Sequence, residues 1–480
     1  MVYHLPNLGY LWRGAAARKD FCHPWRRGFD SYLGPMPDTR TSFRTLAMTA
    51  SSSSPKAPLP PAAVVWRDVP AIAEYLERTV RSWLGVTPET GIALPSLPEN
   101  LARLFLRVEE YDQLHRDQWG CWEYGFSENF WQGRLWIPEV DTWLLERKQE
   151  LSREITSLPR WPQGHPFAIC LTHDVDMVSR QQSPTQVMRG LRAGLSPLGQ
   201  GAKIDSKRLI RGARAIARGL YFGVSPIPSA AETLERCVAI EKEANVRGSY
   251  FFHVCPVERV SPYDCLYHLE DTVMFRGRRR SVGDIVRELS DEGFDIGLHG
   301  SYYSAFSGKV MAAERAALER ATASPVTSTR QHYLHWDARL TPRAQDSAGL
   351  LTDSTLGFNR NVGFRAGTSV PFRQFDLANG AMTNILEVPL IVQEGPLLAE
   401  NGLELDRRQA THVMGLLLDR VSQVGGVATL LFHPHSLLNP DHLALYQWSI
   451  EYGRSKGAWF ATLRDIGNWW REREVRLGLA

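Results

Sequence analysis

The chain has 480 residues, of which 43% are hydrophobic and 22% are charged, so it can bury a large core and is not of disordered composition. Its 55 basic and 52 acidic residues leave a net charge of +3, which excludes a general electrostatic preference for nucleic acid or anionic membranes. The length suits one large catalytic domain with additional segments. Six scattered cysteines without a Cys-x-x-Cys pair indicate reduced thiols, as in a cytosolic protein. Because no run of about 18 apolar residues occurs, we expect no transmembrane segment, and no secretory signal is apparent.

Residues 1–65 are expected to be disordered or a mis-annotated extension. Their first part lacks steady periodicity, and residues 49–62 are rich in Ser, Pro and Ala. Met48 opens the sequence Met-Thr-Ala-Ser-Ser-Ser-Ser-Pro, which is typical of a flexible natural start. We therefore expect translation to begin at Met48.

Residues 66–160 are expected to form a small, aromatic-rich accessory or cap region. Apolar residues recur at helical spacing from Ile72 to Leu84 and predict a helix there. An aromatic group follows: Trp119, Trp122, Tyr124, Phe126, Phe130, Trp131, Trp136 and Trp143. These rings could pack the cap onto the main domain or present a sugar-stacking surface. Packing is the favoured interpretation, because nothing in the sequence indicates that the rings are exposed.

Beyond the cap region, short apolar runs alternate with helical stretches, which predicts a parallel α/β architecture. The predicted strands are residues 167–172, 248–254, 294–299, 386–392 and 427–433. In barrels of this kind the reactive groups gather at the carboxyl ends of the strands. Polar side chains stand at those ends in three of the five runs.

The segment 179–228 carries a basic helical pattern with Lys207, Arg211 and Arg218 among its charged residues. Such a helix could contact an anionic substrate or a membrane surface. A solvated helix covering one face of the barrel is the favoured interpretation, because one short helix without large aromatic residues would bind a membrane weakly.

The strand-end side chains are those expected of a metal site. Asp174 and Asp176 follow the first strand, His299 ends the third, and His433 and His435 follow the fifth. Two nearby carboxylates can act as metal ligand and general base, and an Asp with His residues from other strands can build an open catalytic metal site. Packing alone does not account for three such positions, since burying these groups without partners is costly.

Five ordered motifs over about 300 residues resemble the polysaccharide deacetylase family, that is, the NodB homology or carbohydrate esterase family 4 type. Residues 171–176 (Leu-Thr-His-Asp-Val-Asp) resemble its first motif in an Asp-x-Asp variant. The strand at 248–252, the segment 292–302 with its histidine, the Arg330-Gln-His-Tyr-Leu sequence and the closing Leu-Leu-Phe-His-Pro sequence at 430–434 follow in the family's order.

The resemblance implies a distorted (β/α)7 barrel of the glycoside hydrolase/deacetylase type at residues 161–475, preceded by the accessory segment. It also implies roles for matched residues. Asp174 corresponds to the general base, Asp176 and His299 to metal ligands, Arg330 to the residue that orients the base, and His433 to the general acid. The implied cofactor is a divalent metal, with zinc expected ahead of cobalt, nickel or manganese.

One departure concerns the metal motif, which is usually His-x-x-x-His in this family. The second position here is Tyr303, followed by Ser304, and neutral tyrosine is a poor zinc ligand. The missing donor could come from His173, His332 or water. His435 is a second candidate for the general acid.

The expected function is metal-dependent removal of an N-acetyl group from an amino sugar of a surface polysaccharide or its precursor. The expected partner is a carbohydrate substrate, and the expected location is the cytoplasm. One alternative is an amidohydrolase acting on a non-sugar amide. Another is a metal-free barrel that only binds glycan, which the Tyr303 position favours.

Overall fold

The computed structural model describes residues 71–479, with gaps at 92, 114, 118, 152–156, 179–229, 255–260, 262 and 400. The expectations for residues 1–65 and for the basic helix in segment 179–228 therefore lie outside the described residues. Among the helices described, none has the length and apolar character needed to cross a bilayer.

The described segments before the first strand contain five α-helices. They are α1 (Ala71–Leu84), α2 (Glu99–Phe105), α3 (Val108–Asp112), α4 (Glu128–Trp131) and α5 (Glu139–Leu151). The predicted helix at residues 72–84 is thus confirmed as α1. Its buried face carries Tyr75 and Trp83, whose rings lie 6.1 and 5.2 Å from that of Phe105. The Phe105 ring in turn lies 4.8 Å from Phe372, so aromatic packing joins these helices to the sheet.

The strands that follow belong to two sheets. They are β1 (Ala168–Val175), β2 (Ser249–His253), β3 (Thr272–Phe275), β4 (Arg278–Ser281), β5 (Asp295–Gly300), β6 (Ser328–Gln331), β7 (Thr352–Asp353), β8 (Phe372–Asp376), β9 (Ala381–Glu387), β10 (Leu390–Gln393), β11 (Val427–Leu431) and β12 (Trp459–Phe460). Strands β3 and β4 form a separate antiparallel hairpin. Among the described strands of the large sheet, the β8–β9 pairing is antiparallel and the others are parallel.

The large sheet closes on itself. Its pairing order runs β10–β11–β1–β2–β5–β6–β7–β9, with β8 beyond β9 and β12 beside β1. Strand β9 ends at Glu387 and β10 begins at Leu390, so the two ends of this order are one continuous run of chain. Counting β9 and β10 as one, seven described strands surround the interior, and the predicted distorted (β/α)7 barrel is confirmed.

Helices connect the strands and cover the barrel. They are α6 (Ala230–Glu243), α7 (Val282–Asp291), α8 (Gly308–Thr322), α9 (Thr341–Ser347), α10 (Glu394–Leu398), α11 (Arg407–Val424), α12 (Pro440–Ser455) and α13 (Leu463–Arg476). Capping boxes at Ser281, Asp406 and Thr462 satisfy the first amides of α7, α11 and α13, which explains where those helices begin.

A buried ion pair ties the N-terminal helices to the barrel. Glu110 in α3 accepts hydrogen bonds of 2.9 and 2.7 Å from the guanidinium of Arg365, and both side chains are at most 3% exposed. Arg365 also donates to the carbonyl of Gly357. Because each charge is removed from water, each depends on the other for compensation.

We expect Glu110→Gln to lower the free energy of unfolding by about 3–5 kcal/mol, because the Arg365 charge would be left buried without its counter-ion. Urea denaturation measures this. Glu74→Gln, which changes an exposed carboxylate of α1, should stay within about 0.5 kcal/mol of the unmodified protein. A loss below about 1 kcal/mol for Glu110→Gln would contradict the structural role given to this pair.

Candidate active site at the carboxyl ends of the strands

Strand alternation separates the polar residues of β1. Asp174 faces the barrel interior, where it meets Arg330 from β6, a strand that is not its neighbour in the sheet. His173 faces outward, where its ring meets Glu241 of α6. Consecutive side chains of a strand point to opposite faces, so the two residues cannot share one site.

Arg330 is completely buried and holds Asp174 in place. Its Nη1 donates to Asp174 Oδ1 at 3.2 Å and to Thr172 Oγ1 at 2.7 Å. Its Nε and Nη2 donate to the carbonyl and hydroxyl of Ser354, and its guanidinium lies 4.8 Å from the ring centre of Phe251. These hydrogen bonds fix the orientation of the Arg330 guanidinium, so it can in turn orient the Asp174 carboxylate.

Asp176 lies just beyond β1, among histidines from three other strand ends. Its Oδ1 is 3.2 Å from His299 Nε2 and 3.6 Å from His332 Nε2. Its Oδ2 is 3.6 Å from His433 Nε2. The expected convergence of strand-end residues is thus present, and it includes His332 after β6.

The charges of this cluster act on one another. Burial raises the pKa of the Asp176 carboxyl, but the nearby His332, His299 and His433 lower it well below its usual range. Burial lowers the pKa of His332 to about 4 despite the opposing effect of Asp176. Asp176 is therefore ionised and His332 is neutral near pH 7, the protonation states that metal ligands require.

His433 has a carboxylate partner of its own. Its Nδ1 lies 2.7 Å from Oε1 of Glu394, the first residue of α10, and its backbone N–H donates to the same oxygen. Burial lowers the pKa of His433, but the charge of Glu394 and the hydrogen bond to it raise that pKa to about 10. The imidazole therefore holds a proton at neutral pH, and its Nε2 faces Asp176.

Asp176, His299 and His332 have the chemistry of a divalent metal site. The buried Nε2 of His299 lies 3.2 Å from Asp176 Oδ1 without hydrogen-bond geometry to it or to any other described residue, and its Nδ1 is 3.0 Å from the Arg330 carbonyl. That carbonyl contact fixes the proton on Nδ1 and leaves the Nε2 lone pair aimed at Asp176. One carboxylate oxygen and two imidazole nitrogens are a typical three-ligand set of catalytic zinc.

The remaining sequence candidates make contacts other than those of a metal ligand. His173 cannot supply the missing donor, because its Nδ1 bonds to the Phe432 carbonyl and its Nε2 to Glu241. Tyr303 precedes a short 3-10 helix and packs its ring against Tyr302. The Ser304 hydroxyl bonds to the Ser301 carbonyl and to Gln331. His435 lies near the site, its ring centre 5.4 Å from that of His433.

Sequence reasoning missed three residues of this region. His253 ends β2 and is in register with His299 of β5, so both side chains face the interior. Cys265 approaches Asp176 from the connection between β2 and β3. Glu394 follows β10 directly. The positions of His253 and Glu394 at strand ends were a usable signal, whereas nothing in the local sequence distinguishes Cys265.

Three of the eight aromatic residues named in the accessory region are buried, namely Trp122, Phe130 and Trp136, as the favoured interpretation expects. Trp131 is 65% exposed, and the other four are partly exposed. Of these four, Trp119 stacks on Tyr333, whose ring is 4.5 Å from that of His332. Tyr333 has a φ of 58°, a conformation that costs energy for a residue with a side chain and is concentrated at functional sites.

No protein-family model and no curated protein sequence matches this chain. Solved structures do. An assigned polysaccharide deacetylase from Mycobacterium smegmatis is 18% identical over 65% of this chain and 93% of its own, with a TM-score of 0.44. An assigned polysaccharide deacetylase from Pseudomonas aeruginosa PAO1 is 14% identical over 66% and 95%, with a TM-score of 0.40.

A third solved structure, that of PuuE allantoinase, is 14% identical over 66% of this chain and 94% of its own, with a TM-score of 0.40. All three TM-scores lie below 0.5.

We expect His332→Ala to weaken zinc binding by at least about tenfold, since even the removal of an outer partner of a metal ligand costs about 10–100-fold. Competition with a chromophoric chelator measures this. His412→Ala, which removes an exposed histidine of α11, should leave the affinity unchanged. Equal affinity in the two variants would remove His332 from the proposed ligand set.

Proposed function

We propose that this chain is a metal-dependent hydrolase that removes an N-acetyl group from an amino sugar of a surface polysaccharide or its precursor. The observation that carries the proposal is the arrangement around Asp176. Two groups flank one set of metal donors. One is the carboxylate of Asp174, which the buried Arg330 orients, and the other is the imidazole of His433, whose proton Glu394 stabilises. Hydrolysis of an amide requires a base, an acid and an electrophile in this relation.

The base in this proposal is Asp174. Arg330 holds one carboxylate oxygen, which leaves the other able to accept a proton from the attacking water. The acid is His433, whose Nε2 would give its proton to the departing amine. Glu394 keeps that proton on the ring beforehand. Asp174 and His433 thus have separate partners, so that Asp174 can accept a proton and His433 can donate one.

Asp176, His299 and His332 would hold the divalent ion, which when bound supplies a Lewis acid for the acetyl oxygen. Nitrogen donors with one carboxylate suit zinc, and cobalt, nickel and manganese are the other candidates. The main support for a metal-free glycan-binding barrel was Tyr303 in place of a histidine. That support weakens, because His332 lies 3.6 Å from Asp176 and completes a three-donor set.

A sugar substrate is supported by the sequence resemblance and by the partly exposed rings of Trp119 and Tyr333 beside His332. Flat aromatic faces bind the apolar faces of sugar rings. We also propose a cytoplasmic location, which the free thiols of all four described cysteines would suit.

We expect Asp174→Asn to lower kcat/KM for acetate release from N-acetylhexosamine oligomers by about 10²–10⁴-fold, because the amide cannot accept the proton of water. Asp291→Asn, at the exposed end of α7, is the matched control and should retain full activity. Undiminished activity in Asp174→Asn would exclude it as the base. Activity of the unmodified chain on a non-sugar amide alone would exclude the sugar substrate.

Glu394→Gln should move the alkaline limb of the pH–rate profile to lower pH. Catalysis needs protonated His433, and burial lowers its pKa whereas Glu394 raises it to about 10. Without the Glu394 carboxylate the pKa of His433 should fall, although Asp176 and Asp174 still raise it, so the variant should lose activity at a lower pH than the unmodified protein and be less affected in more acidic solution. Glu451→Gln, an exposed change in α12, should leave the profile unchanged. An unmoved limb in Glu394→Gln would contradict His433 as the acid.

A further inference from the structure

We propose that Cys265 is a fourth protein donor to the metal centre, making it an Asp-His-His-Cys site selective for thiophilic ions such as zinc and cobalt. This inference rests on the metal site of the proposed function. It adds a residue that the family resemblance does not supply.

The position of the Cys265 sulfur carries the inference. Sγ lies 4.0 Å from Asp176 Oδ1 and 4.0 Å from His332 Nε2. One donor atom from each of these three residues lies within 4.8 Å of the other two, which is compact enough for a single ion. Cys265 is only 6% exposed, so its sulfur faces the cluster and not open solvent.

Two hydrogen bonds fix the chain on either side of Cys265. Asp264 accepts the backbone N–H of Tyr302 at 2.7 Å, which joins the segment to the end of β5. Tyr267 accepts the backbone N–H of His253 at 2.8 Å, which joins it to the end of β2. The sulfur is thus held between two strand ends that face the metal site, as a preorganised ligand requires.

Buried histidine nitrogens near Cys265 give a second reason to expect a bound ion, and this reason does not depend on the cysteine. Both ring nitrogens of His253 are buried and have no hydrogen-bond partner among the described residues, and the buried Nε2 of His299 lies 3.2 Å from Asp176 Oδ1 without hydrogen-bond geometry. The ring centre of His253 is 6.3 Å from that of His332, and its register with His299 directs it into the barrel. Burying such groups without partners is costly, and a bound cation would offset part of that cost.

Thiolate ligation has a definite consequence for the choice of ion. Binding releases the Cys265 proton to solvent, and the sulfur then prefers zinc or cobalt over magnesium and manganese.

Other described cysteines provide the controls. Cys121 lies 3.3 Å from the Tyr333 carbonyl, and Cys170 is in the barrel core. Cys237 is the competitor, because it lies with His173 and Glu241 in a second compact group of donors. Both nitrogens of His173 are already bonded there, so we assign the metal to Cys265.

The test uses the full chain loaded with one equivalent of cobalt(II). We expect a near-ultraviolet sulfur-to-cobalt charge-transfer band that is lost in Cys265→Ser and kept in Cys121→Ser and Cys237→Ser. Zinc affinity should fall at least about tenfold in Cys265→Ser, while manganese affinity changes less than twofold. A band that survives in Cys265→Ser, or is lost only in Cys237→Ser, overturns the inference.

A second measurement needs no variant and so does not depend on its folding. Zinc-edge X-ray absorption of the zinc-loaded chain should show one sulfur neighbour at about 2.3 Å. A shell of nitrogen and oxygen alone overturns the role of Cys265. If zinc still binds and acetate is still released in that case, the result is compatible with the proposed function. Absence of zinc binding or of acetate release would contradict the proposed function, whatever the role of Cys265.

Discussion

Closure of the parallel sheet is the constraint on which the site depends. The run from β9 into β10 pairs with β7 on one side and β11 on the other, which turns an open sheet into a ring. The curvature of this ring makes β1 and β6 face each other across the interior, where Arg330 reaches Asp174. A fully buried guanidinium is tolerated because Asp174, Thr172 and Ser354 accept its hydrogen bonds.

The charged residues of the site lie together at one rim of the barrel, but they have different partners and therefore different roles. Asp176 is the carboxylate shared by three imidazoles, whereas Asp174 and His433 are each set by a dedicated partner on another strand end. Arg330 orients the Asp174 carboxylate, and Glu394 keeps a proton on the His433 ring. Each of the two groups thus has a partner suited to its role, which acid–base chemistry requires.

The parallel α/β architecture and the convergence of Asp174, Asp176, His299 and His433 were predictable because both depend on local patterns, whereas the (β/α)7 barrel was implied by the family resemblance. Apolar runs that end in polar residues identify strands, and parallel strands bring their carboxyl ends to one rim. The third metal donor was predictable only as one of several candidates. Tyr303 suggested an incomplete site, and a search along the chain could not show that His332, 33 residues beyond His299 in the sequence, lies beside Asp176.

The sequence by itself determined five of the barrel strands, the polar residues at three of their ends and the order in which they follow one another, because these are properties of short segments. The tertiary structure alone decided which way each side chain faces and which distant residue it meets. It directed His173 outward to Glu241 and placed the sulfur of Cys265 against Asp176. The face of the sheet to which a strand residue points and the path of a long connection both depend on packing against segments far away in the chain, and no local pattern encodes them.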